Sequence, residues 1–78
     1  MNHDVIVEEV IVRPVDGMQL CDGVIILDAS RRFVGSLPGM GSVIADTVEE
    51  VLRLMEERAK CFYGDDVAVE VTHSYSTV

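Results

Sequence analysis

One stretch constrains the fold of this chain more than any other: the capped amphipathic segment from Asp46 to Gly64. Asp46 or Thr47 can cap its start. Glu49 and Glu50 then fall in the first turn, where negative charge suits the helix dipole. Val48, Val51, Leu52, Met55, Ala59 and Phe62 follow the 3, 4, 7 spacing of one buried face. Arg58 and Lys60 lie in the last turn, and Gly64 can end the helix in the left-handed conformation. Glu49–Arg53, Arg53–Glu57 and Glu56–Lys60 are spaced four apart and decorate the wet face. A helix with one apolar stripe needs an apolar layer beneath it.

Strands on both sides supply that layer. Val5 to Val12 (VIVEEVIV) is mostly β-branched, which favours a strand. Its alternation slips at Glu8-Glu9, and a β-bulge there would place Val5, Val7, Val10 and Val12 on one face. Pro14 ends the pattern, and Asp16-Gly17 and Asp22-Gly23 read as turns. Met18 to Cys21 is ambiguous. Val24 to Leu27 is a strand too apolar to be solvated on both faces. Asp28 to Arg31 reads as a hairpin loop and Arg32 to Leu37 as the returning strand, with Phe33 and Leu37 on one face. Pro38 to Gly41 reads as irregular. After Asp65-Asp66 the last strand alternates strictly. Val67, Val69, Val71, His73 and Tyr75 point one way, and Ala68, Glu70, Thr72 and Ser74 the other.

These readings predict an α+β fold: a small, mostly antiparallel sheet of about four strands with one helix packed on one face, in the order β-β-β-α-β. Seventy-eight residues make one domain, 1–78, with a thin core. The 49% hydrophobic content argues against disorder.

Charge narrows the function. Fourteen acids against six bases leave a formal net charge of −8. That balance opposes direct contact with nucleic acid or anionic lipid, which are held by Lys and Arg. It favours encounter with a basic surface. Cys21 and Cys61 form no CxxC and no disulfide framework, so reduced thiols and a cytoplasmic location are expected. Residues 1–12 carry no basic n-region of a signal peptide, and no apolar run reaches membrane-spanning length.

Neither a catalytic constellation nor a metal site is expected, and no cofactor. A nucleophile needs a base held beside it, and the histidines are only His3 and His73. His73 shares its face with three valines, so it reads as an edge-of-core residue. Cys21, Cys61, His3 and His73 lack ligand spacing. Gly39-Met40-Gly41-Ser42 precedes a helix, but no P-loop Lys follows, and Asp46, Glu49 and Glu50 repel phosphate.

The helix surface carries the candidate contacts. Thr47, Leu54 and Cys61 are seven apart on one flank of the core stripe, beside Glu50, Glu57 and Arg58. The strip reads either as one ordinary exposed leucine or as a narrow seat for a partner or second copy, with Cys61 an interface thiol. Asp46, Glu49, Glu50, Glu56 and Glu57 form a negative rim, relieved by Arg53 and Lys60. That rim is either a solvated face or a surface copying the charge of a phosphate backbone.

Residues 37–51 read LPGMGSVIADTVEEV. This segment resembles the LPGC-x-S-x-G-D-T-x-E-E-A region of HicB-type antitoxins, matched at Leu37, Pro38, Gly39, Ser42, Asp46, Thr47, Glu49 and Glu50. The resemblance spans residues 24–71. Met40 and Ala45 stand where the family has cysteine and glycine, and the strand at residues 5–12 lies outside the family pattern. The resemblance implies a β-β-β-α-β fold that neutralises a small basic RNA-cleaving toxin. With no DNA-binding segment after Val78, it implies no operator binding.

Three functions are therefore expected to compete. The first is a protein-binding inhibitor that occludes the nucleic-acid surface of a basic, nucleic-acid-acting partner, as an antitoxin or a phage-encoded inhibitor of a defence nuclease or CRISPR complex would. The second is a homodimeric assembly module whose charge serves solubility. A small-molecule enzyme is a third, and it would need a deep polar cavity around His73 and Tyr75.

Overall fold

The computed structural model describes residues 5–75. It contains β1 (Val5–Pro14), β2 (Cys21–Leu27), β3 (Phe33–Leu37), β4 (Gly41–Ala45), α1 (Val48–Tyr63) and β5 (Val67–Ser74). The strands form one antiparallel sheet in the order β4-β3-β2-β1-β5. The class is α+β, with a single helix, as the sequence indicates. The sheet has five strands instead of about four.

The added strand is β4, in a stretch with no clear strand pattern. Leu37-Pro38-Gly39-Met40 makes a tight turn closed by Met40 N–H donating to Leu37 O at 3.1 Å. Gly39 and Gly41 hold φ angles of 76° and 75°, a region that glycine enters without Cβ strain. The chain reverses there, so Leu37 faces Gly41 and Gly35 faces Val43. Met40 folds back into the core, and Arg58 Nη1 donates to its carbonyl at 2.7 Å, tying the turn to the helix.

Asp22-Gly23, expected as a turn, lies inside β2. Glycine serves close approach here: a Cβ at Gly23 would sit 2.3 Å from the Ser36 carbonyl oxygen of β3. Residues 18–20 are not a strand; Leu20 N–H donates to Val12 O at 2.7 Å just before β2 begins. The hairpin at Asp28 is as read. Its Oδ1 accepts from Ser30 N, Ser30 Oγ and Arg32 N at 2.9, 2.7 and 3.1 Å. The Ser30 hydroxyl first, then the Arg32 amide, hold its carboxyl below the usual aspartate range.

β1 is bulged. Its pairing with β2 slips between Ile6 and Glu8, so Val7, Val10 and Val12 are all buried on one face, while Val5 is exposed at the strand end. β5 carries a second irregularity that the alternation hides. Glu9 pairs with His73 but Val10 pairs with Val71, leaving Thr72 as an extra residue. The extra residue reverses the side-chain phase beyond Val71. His73 therefore shares the face of Glu9 and Val24, opposite the core, and is exposed; the expected edge-of-core placement is corrected.

α1 crosses the other face, packing on β3 and β4 toward one edge and on β5 at the other. Val51, Met55 and Ala59 are fully buried against Val10, Val12 and Ile25. Gly35 lets the helix descend onto β3. Thr47 is the cap: its Oγ1 accepts from Glu50 N at 3.2 Å. Gly64 at φ 112° closes the other end, its N–H donating to Lys60 O at 2.8 Å. Phe62, expected in the buried stripe, is 59% exposed in the last turn. No helix among the described residues is long and apolar enough to cross a membrane.

Candidate interaction surfaces

The expected helix contacts divide. Asp46, Glu49, Glu57 and Cys61 are exposed, and Glu50 and Glu56 are half-buried at the surface. Leu54 is corrected: it packs against the core margin and does not stand free. It shares its flank with Arg58, which reaches the β3–β4 turn, so the β4 edge lies under this side of the helix. Thr47 is used as the cap. The apolar strip thus loses its middle residue, and Cys61 remains an exposed thiol beside Phe62.

The acidic rim is partly spent on itself. Arg53 bridges Glu50 and Glu57 at once. The guanidinium hydrogen bond holds the Glu50 carboxyl below its usual range, and the Glu50 contact raises Arg53 in turn. Exposed pairs of this kind contribute little stability. Between Asp46 and Glu57 the chain carries five acids and one base, which leaves four negative charges along about three turns of helix. Among the described residues Asp46, Glu49 and Glu56 form no salt bridge, although Arg32 lines the same surface hollow as Asp46.

The opposite face of the sheet is uncovered by any described residue. Strand register places its side chains in rows. Ile6, Ile26, Val34 and Ile44 align across β1, β2, β3 and β4. Ile6 is 44% and Ile44 52% exposed, and the two between them are half-buried. The next row is His73, Glu9, Val24, Ser36 and Ser42. A third aligns Glu70, Ile11 and Asp22. The face thus has an aliphatic row toward the Asp28–Arg31 hairpin and an acidic zone behind it. Arg13 occupies Glu70, with Nη2 and Nε each at 2.6 Å.

A groove of about 600 Å³ runs between the second and third rows, edged by Gln19 and Pro38. It is open, not enclosed. Glu9 organises one end: its Oε2 accepts from Tyr75 Oη at 2.6 Å, and its Oε1 lies 3.7 Å from His73 Nδ1. The carboxylate contact pushes the Tyr75 phenol above its usual range. The His73 ring stacks on Tyr75 at 6.4 Å. Ser74 Oγ donates to Glu8 Oε2 at 3.1 Å, while Glu8 Oε1 is buried without a partner among the described residues. These groups bind one another: the Thr72 hydroxyl lies 3.4 Å from His73 Nδ1, the same nitrogen that faces Glu9, and donates to the Glu9 carbonyl at 3.2 Å.

The aliphatic row was the surface missed from the sequence. Its signal was present in Val24-Ile25-Ile26-Leu27, apolar in both phases, and again in Val10-Ile11-Val12 and Val43-Ile44-Ala45. Only the cross-strand register shows that the outward members line up.

Comparison with known family models, characterised proteins and solved structures finds none that matches this chain.

Proposed function

We propose that this protein acts by binding a basic, nucleic-acid-acting protein and covering the surface with which that partner holds nucleic acid. The carrying observation is the set of acids before and along the outer side of α1 that form no salt bridge among the described residues. Asp46, Glu49 and Glu56 face outward beside the Arg53-bridged pair, Glu50 and Glu57. Carboxylates spaced along a rigid helix present Lys and Arg with a row of negative charge, as a phosphate backbone does. The likeness of residues 37–51 to HicB-type antitoxins supports the same reading. In this fold Leu37 to Gly39 form the β3–β4 turn, Ser42 lies in β4, and Thr47 caps α1 with Glu49 and Glu50 in its first turn. An antitoxin and a phage-encoded inhibitor of a defence nuclease would use this surface in the same way.

The test is capture of a partner from host lysate on the immobilised chain at low salt, with elution at high salt. The eluted partner is then assayed for nucleic-acid binding with and without added chain. The expected result is displacement of nucleic acid, abolished in Glu49→Lys/Glu56→Lys. Simultaneous binding of chain and nucleic acid by the partner, or capture indifferent to salt, refutes the mechanism.

A further inference from the structure

We infer that the free edge of β5 pairs with the same edge of a second copy of this chain, antiparallel about a twofold axis between Val71 and Thr72, joining the two sheets into one. β5 is the last strand of the sheet and pairs only with β1 among the described strands. Residues 70–75 are exposed. An edge of this kind is a template for another strand, and its irregularity decides which strand fits.

The extra residue at Thr72 creates a pattern that reads the same in both directions. Val69 and Ser74 lie on the helix side of the sheet, opposite Val12 and Glu8 of β1. Glu70 and His73 lie on the other side, opposite Ile11 and Glu9. The main chain repeats the symmetry. Asp66 O accepts from Val15 N–H, and Tyr75 N–H donates to Val7 O, each at 2.9 Å. Alternation inward from these two ends turns residues 68, 70 and 73 toward β1 and leaves Val69 and Ser74 with main-chain groups on the outer edge. The twofold sets Val69 of one copy against Ser74 of the other, and Glu70 against His73. Each pair then shares a face, and the two Val69–Ser74 pairs exchange about four ladder hydrogen bonds. A strand that alternates at every residue loses phase with β5 on one side of Thr72. A second β5 carries the same break at the same place, so the edge selects its own copy, as an isologous interface requires.

Charge and apolar area agree with that occupant. Away from the helix, the order across the joint is Arg13 and Glu70 of one copy, then His73 and Glu9 of the other. Arg13 already holds Glu70, and Glu9 faces His73. Glu70 therefore meets an imidazole, not another carboxylate, and no acid of one copy stands directly against an acid of the other along the paired segment. On the helix side Val71 is 41% exposed, and the axis brings it beside Val71 of the second copy, where each covers the other.

Six residues per copy bury less than the roughly 1,200 Å² of a standard interface. A dissociation constant on the order of 100 μM is expected, with the net charge of each copy opposing anything tighter. Asp46 follows β4, at the opposite end of the sheet. Both copies keep that residue and the first turn of α1 free, so this inference stands apart from the partner-binding reading.

Sedimentation equilibrium of the whole chain, from roughly 10 to 1,000 μM, tests it. A monomer–dimer equilibrium is expected. Ser74→Pro removes an edge N–H but none that β1 receives, so it should weaken the dimer at least about tenfold with an unchanged circular dichroism spectrum. Ser74→Ala keeps that N–H and should keep the dimer. His73→Glu should weaken the dimer several-fold and His73→Lys should tighten it, whereas Glu49→Lys, a larger change of charge far from the joint, should move it little. A monomer at every concentration overturns the inference. So does a dimer that persists unchanged in Ser74→Pro, or one lost in Ile44→Glu, which would mark stacking through the sheet face.

Discussion

The contact between α1 and β3 can be tested at Gly35. A Cβ there would lie 2.5 Å from Met55 Sδ, 2.6 Å from Val51 Cγ1 and 2.9 Å from Met55 Cγ. Ordinary carbon contacts begin near 3.5 Å, so Gly35→Ala forces roughly 1 Å of movement. Met55 can rotate, but the β-branched Val51 is stiff and helical, so the helix itself must lift. Overpacking of this size costs about 1–3 kcal/mol. Gly35 has no positive φ, so alanine also restricts the unfolded chain and returns about 0.4–1 kcal/mol. The net loss is about 1–2 kcal/mol, a large share of the stability of so small a domain. With a urea slope of about 1 kcal/mol/M, the unfolding midpoint followed by circular dichroism should fall by about 1–2 M at unchanged slope. Val51→Ala opens the rigid wall. In that background Gly35→Ala should cost clearly less, giving a coupling of about 1 kcal/mol. A Gly35→Ala midpoint equal to the parent, or full additivity in the double variant, would show that α1 is not seated on this glycine.

Three further outcomes are expected. Thr47→Ala removes the oxygen that accepts from Glu50 N and should lower stability by about 1 kcal/mol in thermal melts, with Thr47→Ser close to the parent. Asp28 has a depressed pKa, so its contribution is present above the ordinary aspartate range and is lost as pH falls through the lower folded value. The urea midpoints of the parent and Asp28→Ala should therefore differ at neutral pH and converge in acid. Arg53→Ala frees Glu50 and Glu57 and adds one net negative charge. It should tighten capture of the basic partner at low salt and steepen its salt dependence; weakened capture would place the contact elsewhere.

The helix was the most legible element, because its caps and stripe are local to residues 46–64; of its expected ion pairs, Arg53–Glu57 forms, while among the described residues Glu49–Arg53 and Glu56–Lys60 do not, and Arg53 takes Glu50 instead. The bulge in β1 was legible as an event within one run of valines, but not its position: it was expected at Glu8-Glu9, and the pairing with β2 slips one step earlier, between Ile6 and Glu8. What failed depends on neighbours distant in sequence. Gly23 looked like a turn glycine, and only the Ser36 carbonyl against it explains its place in a strand. His73 was assigned to the core face by strict alternation; the extra Thr72, seen only against β1, turns it outward. Leu54 looked idle because β4 was not foreseen beneath that flank. The aliphatic row has the same origin. Each of Ile6, Ile26, Val34 and Ile44 is an unremarkable residue in its own strand, and their alignment is a property of four registers together.

The position of β1 bears on how the chain comes to be folded. It lies between β2 and β5, so the first strand is locked by the last: Val10 faces Val71 and Pro14 faces Val67. β2, β3 and β4 pair with neighbours close in sequence, whereas β1 has only one flank satisfied until residues 67–74 dock, which closes a long loop at a larger entropic cost. A chain cut before Val67 would present a bare, valine-rich edge, open to aggregation or proteolysis.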